Sequence, residues 1–545
     1  MAYAITQSCC KDTSCVSVCP VDCIHPTPDE PDFATAEILY IDPKSCIDCG
    51  ACADACPVSA AKPVELLRGA DQVFEQLNAA YFQNRPERQN PRGFTWDEMG
   101  GDLVRPLSVA IVGTGPAASY AARQLLLGTD AKVTMIDKLP VPGGLVRGGV
   151  APDHLETKQF QGIFHWAYKH PRTKMVMNVD VGTDVTHDEL LRFHDIVLYG
   201  VGARKDRELG VSGEQTPGVL GAPDVVAWYN GSFQVAGNAV QIVGDRVVIV
   251  GNGNVALDLA RIFLQDPEAL AQTDMSDHAV AELRKRRVRE VVLLGRRGPA
   301  SAAFTRPELL TMPAGIEVVV ARDTDTDTEA ELAGAEPESS AELLASLPLV
   351  DLDLTKDPVG ERRLVFAFGR TVSAIHGTDR VSAVEIASSA TEAPIVVPCG
   401  TLIRATGHLG EAIAGLPFSP ESATVPNNAG RVFDPQTDEP VPGTYVVGWI
   451  KRGAHGGIGA NRVCAHETVG TIVADANAGV LRTAPQPASA FDAFVRERVD
   501  QVVGRRRMLA IEKAETKRGV AQGRPRVKFE TVEEMLKVRS TTSVY

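Results

Sequence analysis

Two runs of cysteines near the start of the chain repeat one spacing. The first reads Cys9-x2-Asp12-x2-Cys15-x3-Cys19-Pro20, the second Cys46-x2-Cys49-x2-Cys52-x3-Cys56-Pro57. Nine of the 11 cysteines lie between Cys9 and Cys56. Three close thiolates on one loop can hold one face of an iron–sulfur cube, and the fourth cysteine of each run ligates the cluster of the other run. A disulfide scaffold fits poorly in a large chain for which no signal peptide is expected. Zinc sites use separated pairs of ligands, not two complete cysteine–proline runs. The chemistry expected here is therefore one-electron transfer through two clusters.

The crossing rule assigns the ligands. Cys46, Cys49, Cys52 and Cys19 form a four-thiolate set, expected to hold a [4Fe–4S] cluster (cluster II). Cys9, Cys15 and Cys56 form the other set (cluster I), with Asp12 where a fourth cysteine would stand. Carboxylate is a harder ligand and suits a sulfur-rich iron site less well. Cluster I is thus expected to be [3Fe–4S], the alternative being a [4Fe–4S] cluster with one iron held by Asp12. Cys10 and Cys23 fall outside the repeat and are expected not to be ligands. Cys399 and Cys464 read as small buried apolar residues.

A cluster that takes single electrons needs a donor, and two further stretches point to one. Val109-Ala110-Ile111-Val112-Gly113-Thr114-Gly115-Pro116-Ala117-Ala118 reads as strand, tight turn and helix. Gly113 permits the turn, Gly115 lets backbone approach a pyrophosphate, and Ala118 allows close helix–strand packing. The next strand ends at Asp137, 22 residues after Gly115. An acid there accepts hydrogen bonds from a ribose diol and repels a 2′-phosphate, which suits FAD or NAD better than NADP. A second fingerprint, Val247-Val248-Ile249-Val250-Gly251-Asn252-Gly253-Asn254-Val255-Ala256, is followed by a strand ending in Gly295-Arg296-Arg297-Gly298. Two guanidiniums at that position suit a 2′-phosphate and predict NADPH.

The first 60 residues resemble the seven-iron ferredoxins of actinobacteria, most specifically at Cys19-Pro20-Val21-Asp22-Cys23-Ile24. The rest resembles the family of adrenodoxin reductase and its bacterial NADPH–ferredoxin reductase relatives. That likeness is carried by Pro142-Gly143-Gly144-Leu145-Val146-Arg147-Gly148-Gly149-Val150-Ala151-Pro152-Asp153-His154, by Asp224 to Asn230 and by Gly448-Trp449-Ile450-Lys451-Arg452-Gly453. It implies FAD held by Gly113, Gly115, Ala117, Asp137, Leu145, Val181, Trp449, Gly456, Gly457 and Ile458. It implies NADP held by Asn252, Gly253, Asn254, Val255, Arg296, Arg297, Glu308 and Gly456. His154 and Glu308 are its catalytic candidates, although the second acid that family members often carry three residues after Glu308 is Thr311 here. The family's usual proline–threonine–glycine–valine turn is replaced by Ala454-His455-Gly456-Gly457.

The expected fold class is α/β: two Rossmann-like dinucleotide-binding domains preceded by a small α+β bacterial-type ferredoxin domain. The expected bounds are 1–60 for the ferredoxin unit, 61–106 for a linker, 107–205 with 405–545 for the FAD unit, and 206–404 for the NADP unit. Tyr81, Phe82, Phe94 and Trp96 are expected to strap the linker down. The acidic stretch 325–345 reads as a mobile excursion or short helix, and the basic run Lys513–Lys528 as a solvated face. A net charge of −14 argues against a nucleic-acid partner. No apolar run approaches the ~20 residues that span a bilayer, so a soluble, cytoplasmic protein with no membrane partner is expected. NADPH would yield a hydride, FAD would divide it into single electrons, and the fused clusters or a separate ferredoxin would accept them. The alternative is an electron-input subunit like the small subunit of glutamate synthase. A flavin disulfide reductase has no C-x-x-C after residue 60 to work with.

Overall fold

A computed structural model describes residues 2–83, 94–96, 103, 105–285, 287–322, 328–388 and 394–539. Most of the connector 84–106 lies outside them.

The cysteine runs sit on loops between short strands. Strand Tyr3–Ile5 pairs antiparallel with Ala61–Pro63, and Ile24–His25 with Tyr40–Ile41. Helix Val73–Gln83 closes the unit. Its buried Asn78 accepts from Ile5 N (3.0 Å) and Ile41 N (2.9 Å) and donates to Ile5 O (2.9 Å). Tyr81 stacks on Tyr40 with ring centroids 4.2 Å apart. Residues 61–83, read from sequence as linker, therefore fold with the cysteine unit. The helix buries only Phe74, Asn78 and Tyr81, and an amide in the middle of that stripe hides it from a hydrophobic-periodicity reading.

The first fingerprint strand, Ser108–Val112, is central in a seven-stranded sheet. Lys132–Asp137 and Ile196–Tyr199 flank it in parallel, Thr173–Met177 lies outside the first and Glu439–Val446 outside the second. Arg431–Asp434 and Asn427–Asn428 extend the edge antiparallel. The near-continuous burial of Val109–Val112 and of Val133–Ile136 is that of strands covered on both faces.

The second fingerprint strand, Arg246–Val250, sits in another seven-stranded sheet, in which every pairing is parallel. The chain leaves the first unit and returns to it side by side, Lys205–Asp206 pairing antiparallel with His408–Leu409. Within 325–345, the described residues form two short helices, Thr328–Ala333 and Ser340–Ala345.

The basic run near the C-terminus is a solvated face only in part, at the exposed Lys513 and Lys517. Arg524 and Lys528 are buried. Lys528 Nζ and Lys158 Nζ share Asp274, at 2.7 and 3.0 Å, and the two ammoniums hold that carboxyl well below the usual range against the cost of its burial. Helix Arg505–Val520 carries the buried Glu515, which accepts from both terminal nitrogens of Arg147 at 2.8 and 2.7 Å. The tail thus clasps the FAD and NADP units through paired charges. Glu515→Ala strands Arg147 without its bidentate partner and is expected to cost about 3–5 kcal/mol, read as a lowered midpoint in chemical denaturation. A midpoint within error of wild type would reject the clasp.

Candidate functional site

The cysteines converge on two hollows, as the crossed spacing requires. One of about 290 Å³ is lined by Cys19, Cys46, Cys49 and Cys52, with Cys23, Val21, Ile47 and Tyr3. The other, of about 270 Å³, is lined by Cys9, Cys15 and Cys56, with Cys10, Lys11, Asp12 and Thr13. Cys19 joins the second run's set and Cys56 the first run's. Cys10 and Cys23 also reach the hollows, and Cys23 Sγ lies 3.5 Å from Cys19 Sγ. Burial pushes the Cys9 and Cys52 thiols up to about 12. Crowded sulfurs that resist ionisation this strongly become stable thiolates when a metal takes the proton's place, so the donor set fits iron–sulfur clusters. Asp12 lines this hollow with its carboxylate already engaged: it accepts from Ser14 Oγ (2.6 Å) and N (3.2 Å) and lies 3.8 Å from Arg462.

Around the first fingerprint, backbone approaches backbone. Gly113 has φ +101°, and an added Cβ would stand 2.5 Å from Gly200 O. An added Cβ on Gly144 would stand 2.7 Å from Gly115 Cα. Helix Pro116–Gly128 starts at this point, with the first-turn N–H groups of Ala117 and Ala118 free of intrahelical acceptors. Asp137 accepts from Thr114 N (2.9 Å) and Thr114 Oγ1 (2.5 Å), so this acid braces the glycine turn. Leu145 lies in the short helix Gly144–Gly148, and Val181 on the turn closed by its bridge to Val185. Trp449 Nε1 donates to His455 O (3.0 Å) and Gly456 O (3.3 Å), fixing the exposed turn that leads through Gly457 into helix Ile458–Asn477. This cradle of small residues and helix N-termini fits a dinucleotide pyrophosphate.

The second fingerprint repeats the arrangement. Helix Asn254–Leu264 starts after Gly253. Asn254 Oδ1 accepts from Thr305 N at 2.8 Å. Strands Arg246–Val250 and Glu290–Leu294 are parallel neighbours, which places Asn252 beside Gly295. Arg296 and Arg297 are exposed at the strand's end, and among the described residues neither has an ion pair.

His154 and Glu308 meet at a junction of all three units. His154 Nε2 is 3.6 Å from Glu308 Oε1, and Gln7 Nε2 of the cysteine unit donates to Glu308 Oε2 at 3.0 Å. Arg261 reaches Asp153 (2.7 Å), Glu308 and Asp258. Burial and the Arg261 guanidinium push His154 below its usual value, so the imidazole is neutral near pH 7. Burial opposes charge on Glu308, but the Arg261 guanidinium outweighs it and holds the carboxyl low. The acids beside His154 are thus Glu308 and Asp258. Thr311 only back-bonds its helix, donating to Pro307 O at 2.9 Å. His154, Asp258 and Glu308 approach one another closely enough for a cation, yet the Arg261 guanidinium is already ion-paired with both carboxylates. Sequence reasoning missed Gln7, Asp153, Asp258 and Arg261, because Asp258-x-x-Arg261 reads as an ordinary surface pair on a helix.

Comparison with known proteins agrees with this geometry. Residues 39–62 match the model of a 4Fe-4S binding domain, and residues 111–178 that of an NAD(P)-binding Rossmann-like domain. A chain from Mycobacterium tuberculosis named as a ferredoxin/ferredoxin–NADP reductase is 45% identical over 543 residues, covering 98% of this chain and 94% of the relative. The chain belongs to the ferredoxin/ferredoxin–NADP reductase family. A Mycobacterium leprae member is 43% identical and covers 99% of this reductase and 98% of itself. The solved structure of Mycobacterium tuberculosis FprA in complex with NADPH superposes with a TM-score of 0.70 at 36% identity, over 80% of this reductase and 99% of FprA. The fold is α/β of the FprA kind, and the protein is a flavoprotein oxidoreductase with iron–sulfur, flavin and NADP chemistry. Among the described residues no helix is long and apolar enough to cross a membrane.

Proposed function

We propose that this reductase oxidises NADPH and hands the electrons singly to its own N-terminal cysteine unit, to a separate ferredoxin, or to both. One observation carries the reading. The loop of the first cysteine run packs on the start of helix Ile458–Asn477, Cys10 O accepting from Gly459 N at 2.8 Å. An electron-carrier loop thus rests on the turn that would border the flavin. FAD, when bound, supplies the exchange between a two-electron hydride and one-electron carriers.

The residues divide the work. Gly113, Gly115, Ala117, Asp137, Leu145, Val181, Trp449, Gly456, Gly457 and Ile458 hold FAD. Asn252, Gly253, Asn254, Val255, Arg296, Arg297, Glu308 and Gly456 hold NADP. Hydride transfer needs no side-chain base, so His154 and Glu308 position neighbouring groups, with Arg261 locking their geometry. Anaerobic addition of NADPH should bleach the flavin and then the iron–sulfur absorbance. Bleaching confined to the flavin would reject the internal relay, and no bleaching would reject the whole reading.

Cys9, Cys15 and Cys56 hold a [3Fe–4S] cluster, and Cys19, Cys46, Cys49 and Cys52 a [4Fe–4S] cluster. The bonds of Asp12 to Ser14, and its approach to Arg462, support three irons at the first site, since a carboxylate engaged there does not reach for metal. Asp12→Cys should add about one iron per chain and remove the [3Fe–4S] signal from the EPR spectrum of the oxidised protein. An unchanged signal would count against this ligand set.

A further inference from the structure

The two hollows face different surroundings. The Cys10–Thr13 stretch of the first run is covered. An added Cβ on Gly459 would stand 2.1 Å from Lys11 O and 2.3 Å from Cys10 O. Arg462 donates to Asp12 O and lies over the Trp96 ring, 4.8 Å from its centroid. Trp96 Nε1 in turn donates to Thr13 Oγ1 at 3.1 Å. No partner protein reaches that loop without displacing the FAD unit.

The Cys46–Cys52 hollow opens outward. Cys49 is exposed. Val18, Val21 and Ile47 are 42%, 36% and 59% exposed, three large aliphatic groups in the two loops that hold this hollow's cysteines. Exposed Asp48, Asp54 and Glu65 belong to the same face. Tyr3 lines the hollow. Lys44 and Lys11 are the bases of these loops, Lys11 turned inward to Phe33 O and Ala36 O, and residues 1–60 carry nine acids against these two lysines. An apolar spot inside an acidic ring is the complement of a redox protein with an apolar spot inside a basic ring.

We propose that the face around Cys49, with Val18, Val21 and Ile47 inside a ring of Asp48, Asp54 and Glu65, is the docking surface for an external one-electron acceptor protein whose redox group is ringed by lysines or arginines. This rests on the oxidoreductase reading above. Each NADPH oxidised to NADP+ and a proton releases two electrons. One leaves through this face per encounter, so two acceptor molecules are each reduced by one electron.

The test measures binding on the oxidised holoprotein, without NADPH. Ferricytochrome c, a one-electron acceptor with a lysine ring about its haem edge, is titrated at low ionic strength by calorimetry. Asp54→Lys/Glu65→Lys should weaken Kd about tenfold or more. The control Glu361→Lys/Glu421→Lys, the same charge change at exposed sites on the other two units, should leave it within about twofold. Equal weakening by both pairs would reduce the effect to net charge and overturn the proposal. So would an unchanged Kd in the first pair. Iron content and visible spectrum are checked on each sample, and Glu65→Lys alone, outside the cysteine loops, replaces the double variant should iron be lost. Bleaching of the wild-type flavin by NADPH is read separately, so a failed oxidoreductase reading is distinguishable from a failed docking surface.

Discussion

Arg296→Ala/Arg297→Ala should raise KM for NADPH about a hundredfold and leave KM for NADH within a few-fold. Both side chains are exposed at the end of strand Glu290–Leu294. They meet the 2′-phosphate from water, which sets each charge-assisted hydrogen bond near the low end of its range, about 1.5 kcal/mol. Two such bonds are worth about 3 kcal/mol, or two decades of affinity. The selectivity is the informative part, because NADH lacks the phosphate and loses nothing. Steady-state kinetics with both nucleotides checks it. Equal losses for NADPH and NADH would show that the arginines shape the turn and do not read the phosphate.

Cys19→Ala should remove about one to four irons per chain and leave the first hollow's EPR signal in place. Cys19 comes from the first run, yet it lines the hollow of Cys46, Cys49 and Cys52. Its loss leaves three ligands of that set and also cuts the tie between the halves of the cysteine unit, so a lower melting temperature should accompany the lost iron. Cys23 provides the control. Its sulfur lies 3.5 Å from that of Cys19, near enough to be recruited. Retained iron in Cys19→Ala that disappears in Cys19→Ala/Cys23→Ala would make Cys23 a substitute ligand. Iron retained in both variants would refute the crossed assignment.

Much of the molecule was legible in the sequence because its signals are local. A cysteine–proline spacing, a glycine turn after a β-branched strand, and an acid or an arginine pair at the next strand's end each carry their chemistry within a few residues. What escaped is long-range or polar. Helix Val73–Gln83 is held by one buried amide, Asn78. The end of the basic tail is drawn in because Asp274, Asp277 and Glu515 receive Lys528, Arg524 and Arg526, and charges of that kind read as solvent-facing until the partners are known. Arg261 organises the His154–Glu308 junction by reaching Glu308 and Asp153, 47 and 108 residues away in the chain. The fused unit's contact with Gly459 depends on a backbone amide, which side-chain identity does not advertise.

The antiparallel pair Lys205–Asp206 and His408–Leu409 has a modular consequence. Its strands lie about 4.8 Å apart, so the whole nucleotide-reading insert hangs from two adjoining points. Lifting it out would leave chain ends that a short hairpin turn could join, with the surrounding flavin-unit sheet still complete. Such an insert can be traded for one reading another nucleotide without re-threading its host.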